Sequence, residues 1–305
     1  MPAIGFTTNG TIIHDELIAL LRSKPYLKVS VSVDGPSPIH DRFRVDPMGR
    51  PTYRRVIDNI HVLRRDTGRP GMLELTYSTS HLQSGMSLWD VMEAIHRDSG
   101  VGMICVEIAY NTPYSGSVFD PLQIDLDLTK NDLCAAIRKS MRDIASSSDP
   151  TYFYQVVAFA QTLFQHNTPH ACPAGRHYFT VAQDGGIYPC QNLPENSRLL
   201  IARLGDRDLR QKISNNSAME VVGRANANAN RAVGDKWYAR FCKVCPAHNL
   251  SETGTLDACA PARANVHEHM AFAFLTELVR IAENGADYRA FVKNVARTQD
   301  EAFQI

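Results

Sequence analysis

Apolar positions in the first hundred residues switch between two periods. Leu27 to Asp34 (Leu-Lys-Val-Ser-Val-Ser-Val-Asp) alternates apolar and polar, the period of a strand with one covered face, and Gly35-Pro36 ends it. Met72 to Ser78 and Met103 to Ile108 read as two further strands. Between the strands, Tyr53, Val56, Ile57, Ile60 and Leu63 recur at helical spacing. Ser87 is placed to cap a helix carrying Leu88, Val91, Met92 and Ile95, and Gly100 stops it. Earlier, Ile13, Leu17, Leu20 and Leu21 form a helical set after the Asn9-Gly10 turn. Strands alternating with helices at this spacing predict parallel βα units. The chain is expected to enter the pattern without an opening strand of its own.

Further on, a Pro/Gly/Ser loop (Thr112 to Gly116) precedes two expected helices, around 127–147 and 151–165. The second carries Phe153, Val156, Val157, Ala160 and Phe164, read as a packing face. Tyr178 to Gln183 and Ile187 to Pro189 flank Asp184-Gly185-Gly186, a strong hairpin signal. The low-complexity stretch 224–231 reads as a solvated loop or frayed helix. From Ala262 on, Val266, Met270, Phe274, Leu278 and Ile281 mark a long amphipathic helix that Glu283-Asn284-Gly285 should end or kink.

Composition narrows the function classes. The chain has 305 residues, 44% apolar and 21% charged, ordinary for a soluble globular protein. Its 32 basic and 32 acidic residues cancel, so no global field draws it to nucleic acid or to an anionic membrane. No apolar run approaches the roughly 20 residues that span a bilayer. The opening Met-Pro-Ala-Ile-Gly-Phe lacks a secretory pattern, so a cytoplasmic location is expected.

The cysteines are the chemical signal. There are 7, and Cys172, Cys190, Cys242, Cys245 and Cys259 crowd the C-terminal part. An odd count without a secretory signal argues against a disulfide framework. Cys242-Lys-Val-Cys245 lets two thiolates reach one metal from a tight turn; a thiol redox pair is the competing reading. Cys172 and Cys190 flank the expected hairpin, which would bring them together; otherwise they are two small buried thiols. Cys105, in an apolar strand, and Cys134, on a helix, are read as structural. His267-Glu268-His269 lacks the i, i+4 pairing that aims two imidazoles at one metal.

Cys172-Pro-Ala-Gly175, an apolar strand, Asp184-Gly185, Ile187-Tyr-Pro-Cys190 and the later Cys242-x-x-Cys245 closely resemble the SPASM domain, the C-terminal extension of radical SAM enzymes that mature peptides and proteins. The N-terminal third agrees. Thr8-Asn9-Gly10-Thr11, Ser30-Val-Ser32-Val-Asp34-Gly35-Pro36, Ile39-His40-Asp41-x-x-Arg44 and Gly49-Arg-Pro-Thr-Tyr53 resemble the later barrel strands of that superfamily, in order. The resemblance implies a partial (βα) radical-SAM-type barrel over 1–120, a helical connection over 121–166, a small Cys-rich α+β SPASM-like domain over 167–260 and a C-terminal helical segment over 261–305. It implies that Ser32 and Asn9 lie against S-adenosylmethionine (AdoMet), at strand ends where barrels bind ligands. Arg44 could pair with a ligand carboxylate, or with Asp41 or Asp46 at the surface. Asp34 could simply cap its turn.

The sequence departs from the family in one decisive respect. Radical SAM chemistry uses a [4Fe–4S] cluster on three cysteines, usually C-x3-C-x2-C, whose open iron chelates AdoMet. No such triplet exists here; the first cysteines are Cys105 and Cys134. A truncated product, a degenerate homologue that keeps a binding role, and a system whose cluster sits on a separate chain are the three expectations. The usual C-terminal thiol set is also reduced. Cys172, Cys190, Cys242, Cys245 and Cys259 suffice for one four-ligand auxiliary [4Fe–4S] site or for two incomplete ones, with His248 a further candidate. Sulfatase-maturing members carry a basic Asp after Tyr-Pro-Cys, where this chain has Gln191, and an amide accepts no proton near neutral pH. The resemblance therefore points to thioether-forming or other peptide maturases. The expected partners are a ribosomal peptide or protein and a possible cluster-bearing chain, with no nucleic acid and no membrane. AdoMet is expected only if the missing cluster part is present. The alternative is a non-enzymatic Fe–S or zinc module that recognises a peptide or partner.

Overall fold

The computed structural model describes residues 4–109, 126–164, 172–193, 197–242, 245–256, 258 and 260–302. The chain divides into two compact units. One takes Met1–Ala109, Gln123–Gln161 and Phe272–Ile305, and the other is built on Thr162–Ala271. The Thr112 to Gly116 loop lies outside the described residues.

The first unit is a five-stranded sheet in sequential order, parallel throughout. Its strands are β1 (Ile4–Thr8), β2 (Leu27–Ser32), β3 (Met72–Tyr77), β4 (Met103–Ile108) and β5 (Tyr152–Phe153). Helices α1 (Asp15–Ser23), α2 (Ser37–His40), α3 (Tyr53–Thr67), α4 (Thr79–Ser84), α5 (Leu88–Ser99) and α6 (Leu126–Ser146) intervene, and α7 (Tyr154–Phe164) follows. Ser87 and Asp90 form a capping box on α5, and Gly100 closes it in a left-handed conformation. Val29, Val31, Leu73, Leu75, Ile104 and Val106 point to one face, under Val56, Ile60 and Leu63 of α3 and the apolar stripe of α5.

Three expectations need correction. The chain does have an opening strand: β1 pairs along β2 from Ile4↔Leu27 to Thr8↔Val31. It is short and carries Gly5, which hides its alternation. The expected helix at 151–165 begins with strand β5, paired at Met103↔Tyr152, because the buried Phe153 completes the sheet before the helical pattern starts. On α1 the inward residues are Ile18 and Leu21, while Leu20 is 45% exposed.

The second unit holds a small antiparallel sheet of β6 (Thr180–Val181), β7 (Gly186–Tyr188) and β8 (Ala202–Arg203). Asp184 and Gly185 turn β6 into β7 as the hairpin signal predicts. Helices α8 (Leu209–Ser214), α9 (Ala218–Val233) and α10 (Pro246–Thr253) follow; α11 (Pro261–Glu283) carries the chain back to the first unit, to which α12 (Gly285–Ala302) belongs. The low-complexity stretch is neither loop nor frayed end. It lies within α9, a helix held in place by its buried Val222 and Ala225. No helix among the described residues is long and apolar enough to cross a membrane.

Candidate functional site

A parallel sheet ordinarily hides both faces. Here one face is packed by helices and the other keeps polar side chains. Thr7, Ser30, Ser32, Glu74, Thr76, Cys105 and Glu107 share that second face through the registers Thr7↔Ser30, Ser32↔Glu74, Glu74↔Cys105 and Thr76↔Glu107. All are half-buried or exposed. The Thr7 hydroxyl donates to Glu74 Oε1 at 2.9 Å, so the glutamate lies across the serines of β2. This is a floor of acceptors and hydroxyls.

Those ends are held by a rigid polar network. The Asp34 carboxylate accepts from Arg44 Nε, from Arg44 Nη2 at 3.0 Å and from the Thr76 backbone N–H at 3.0 Å. Asp34 N–H donates to His40 Nδ1 at 3.3 Å, and His81 Nε2 donates to Asp34 O at 2.6 Å. Burial holds both imidazoles below their usual pKa, against the raising effect of Asp34, so each is neutral with its proton on Nε2. Asp34 is thus the hub of β2, α2 and α4, where the sequence suggests only a turn cap. Arg44 takes Asp34 as its partner rather than Asp41 or Asp46. Asp41 accepts from Thr52 N–H and Tyr53 N–H at 2.8 Å each and closes the start of α3, and Asp46 pairs with Arg50.

The other AdoMet candidates sit at the same end of the sheet. Ser32 is the last residue of β2 on the polar face, paired with Glu74. Asn9 Oδ1 accepts from Thr11 N–H and the Thr11 hydroxyl, shaping the turn after β1. Its neighbour Gly10 has φ +68°, and a Cβ there would lie 2.6 Å from Val31 Cγ1. At the opposite end, a cleft of about 400 Å³ is lined by Arg64, Arg297 and the Gly68 and Gly100 caps of α3 and α5. Its guanidinium groups answer the carbonyl ends of those helices.

In the second unit, Cys172 and Cys190 come together. Gly175 N–H donates to Tyr178 O at 2.9 Å and to Pro189 O at 3.2 Å, laying the first turn along the hairpin's end. Burial pushes the Cys190 thiol up to about 11, and the nearby Cys245 and Cys172 add to that rise. Its sulfur accepts from Asn192 N–H at 3.2 Å, which opposes it. Cys245 precedes α10 and packs with Cys190 against Leu193, Leu199 and Leu250. Cys242 is buried at the end of a short 3-10 turn. Cys259 lies outside the described residues. Among the described residues, no three His, Cys, Asp or Glu side chains are grouped to hold a metal ion.

Three asparagines that the sequence leaves unremarked position this region. Asn226 of α9 clasps Cys172 at both ends, accepting from its N–H at 3.0 Å and donating to its carbonyl at 3.2 Å. Asn216 donates to Gly175 O at 3.0 Å. Asn249 of α10 donates to Leu256 O and accepts from Ala260 N–H. His248, the further ligand candidate, is mostly buried. It sits in α10 with its pKa lowered to about 3 by burial, then by Arg263 and His267. His269 turns away to Asn265 O and Glu268 accepts from Trp237, so the His-Glu-His run diverges as helical spacing requires. Gln191, exposed beside Cys190, accepts from the Tyr178 hydroxyl.

Among solved structures, native anSMEcpe bound to AdoMet and the peptide Cp18Cys superposes with a TM-score of 0.75 over 92% of this chain and 76% of its own, at 15% identity. This chain is similar in fold to anaerobic sulfatase-maturating enzymes. Hexahistidine-tagged anSMEcpe with bound AdoMet agrees, at TM-score 0.73 and 16% identity over 94% of this chain and 74% of its own. In sequence, the serine-type anaerobic sulfatase-maturating enzyme of Bacteroides thetaiotaomicron is 40% identical over 58 residues. The cysteine-type enzyme of Clostridium novyi is 33% identical over 58 residues. These matches span 14% and 15% of those two relatives and 19% of this chain. No protein-family model matches the chain.

Proposed function

We propose that this chain serves radical SAM/SPASM-type maturation of a peptide or protein, with AdoMet and the peptide on the polar sheet face and an auxiliary iron–sulfur cluster in the cysteine-rich unit. The one-sided parallel sheet carries this reading. Hydroxyls and carboxylates gathered on one face of a parallel sheet, close to its strand ends, are where barrel folds bind ligands. The chain's likeness to a fold solved with AdoMet and peptide supports the ligand class. Ser32, Asn9 and Glu74 offer hydroxyl, amide and carboxylate groups suited to the ammonium and ribose hydroxyls of AdoMet. Arg44 has committed two of its donors to Asp34, so its role here is to hold the strand end.

The chain's residues do not fit the catalytic cluster, since C-x3-C-x2-C is absent from the sequence, and no radical step is derived for them. The auxiliary site fits better in its donor chemistry. Cys190 feels the nearby Cys172 and Cys245, and a backbone N–H is aimed at its sulfur, as cluster thiolates require. Cys172, Cys190, Cys242, Cys245 and Cys259 would hold the cluster, which supplies one-electron relay when bound. Gln191 cannot serve as the base of a sulfatase-type reaction, which favours another peptide modification.

Anaerobic reconstitution with iron and sulfide tests this reading, alongside equilibrium dialysis against AdoMet. Expected are visible charge-transfer absorption, lost in Cys190→Ser, and saturable AdoMet binding weakened about three- to tenfold in Ser32→Ala, the loss of one hydrogen bond. Zinc uptake with no iron would favour the non-enzymatic recognition module. Neither metal nor AdoMet binding would end the proposal.

A further inference from the structure

The sheet of the first unit ends on β1, and no strand among the described residues pairs with its outer edge. An edge strand in a stable monomer ordinarily carries a charge, a proline or a bulge that keeps other strands away. β1 has none of these: Ile4-Gly-Phe-Thr-Thr8 is uncharged and in unbroken register with β2. The apolar layer also stops short there. Phe6 pairs with Val29 and so points to the helix-covered face, yet Val29 is 4% exposed while Phe6 is only half-buried.

Helix α1 carries this edge into the next layer. Ile18 and Leu21 pack inward, and α3 lies on that side. Leu17, Leu20 and Lys24, the cap residue, are spaced by three and four, and Glu16 lies four before Leu20, so the four share another flank. Leu20 is 45% exposed, Leu17 is half-buried, and Glu16 and Lys24 are exposed. The remaining charges of α1 lie elsewhere. Arg22 Nε donates to the Asp66 carbonyl at 2.8 Å, and Asp15 lies about 200° around the helix from Leu17. The flank is therefore apolar in its middle, acidic at its start and basic at its end.

We propose that two copies of this chain pair through β1, edge to edge and antiparallel, so that their five-stranded sheets become one. A twofold axis perpendicular to the sheet relates the copies and keeps each layer on its own side. A crossover helix lies over the two strands it joins, so each α1 stands about 5 Å from the axis, one strand spacing, and the two helices are about 10 Å apart. That is the distance at which helices pack, and the axis makes them antiparallel. Leu17 and Leu20 meet their counterparts, and Glu16 of each copy faces Lys24 of the other. Opposite charges at opposite ends of one apolar flank make the surface complementary to itself, which singles out a second copy over an unrelated chain.

Sedimentation velocity on the whole chain, under reductant to exclude cysteine-linked pairs, should show a dimer of twice the 34.0 kDa chain mass, its fraction rising with concentration. Leu20→Lys should weaken the dimer at least about tenfold, with far-UV circular dichroism unchanged. Glu16→Lys and Lys24→Glu should each weaken it about three- to tenfold, and the two together should restore it, which a loss of folding would not do. Amides of β1 should exchange with deuterium more slowly as concentration rises. A monomer at every concentration would overturn the proposal and assign the edge to a different polypeptide. So would a dimer unmoved by Leu20→Lys, a charge swap no tighter than either single reversal, or growth into open-ended oligomers, which a closed twofold contact forbids.

Discussion

Removing the Asp34 carboxylate tests how the strand ends are held. Asp34→Ala deletes the acceptor of both Arg44 donors and of Thr76 N–H. The side chains of Arg44 and Asp34 are 27% and 13% exposed, so the pair is mostly, not fully, desolvated. Breaking a buried pair from one side costs about 3 to 5 kcal/mol, and partial exposure of Arg44 places this case near the lower figure. Loss of the Thr76 partner adds about 1 kcal/mol where water replaces it. Arg44→Met leaves the carboxylate its backbone donor and should cost about 2 kcal/mol. The double variant removes both charges, so its cost should fall short of the sum by about 1.5 to 3 kcal/mol. The chain has two tryptophans, Trp89 buried in the first unit and Trp237 half-exposed in the second. In a Trp237→Phe background, Trp89 fluorescence during urea unfolding reports the first unit alone. A cost below about 1 kcal/mol for Asp34→Ala, or additive single variants, would refute the hub assignment.

Other outcomes follow from the same geometry. His40 and His81 have folded pKa values below 6.5, so the unfolded chain binds more protons below that pH and stability drops as pH falls. The unfolding free energy should fall as pH drops below about 6.5, and a flat Trp89-detected profile there would contradict their burial as neutral rings. Gly10→Ala should cost about 2 to 4 kcal/mol, since φ is +68° and the new Cβ meets Val31 at 2.6 Å; thermal melting measures it, and a shift under about 1 kcal/mol would show that β1 is loosely held. Asn226→Ala releases the Cys172 main chain and should speed maleimide labelling of Cys172 about tenfold, read by mass spectrometry; an unchanged rate would mean the clasp does not hold that turn.

Much of the first unit is legible from local pattern. The Ser87 cap, the Gly100 stop and the alternation from Leu27 onward are decided by neighbours in sequence, and the structure places α5 and β2 there. β1 is hard to read because five residues with a glycine among them carry little periodicity, yet pairing along β2 makes them a strand. The stretch 224–231 misleads for the opposite reason. Its asparagines lower helix propensity, and packing of Val222 and Ala225 outweighs that weak preference. The thiol pair Cys172 and Cys190 could be anticipated from the hairpin between them, whereas Asn216, Asn226 and Asn249 could not, because an asparagine's partner is set by what folds against it.

The order of residues along the chain sets where most strands, helices and turns fall and which side chains carry the chemistry, because capping, periodicity and turn geometry act over a few positions. Packing alone makes Arg44 answer Asp34 and gathers polar side chains of β1, β2, β3 and β4 on one sheet face. Those outcomes depend on which distant segments share a dielectric environment and compete for the same donors, and that competition ends only when the chain has folded.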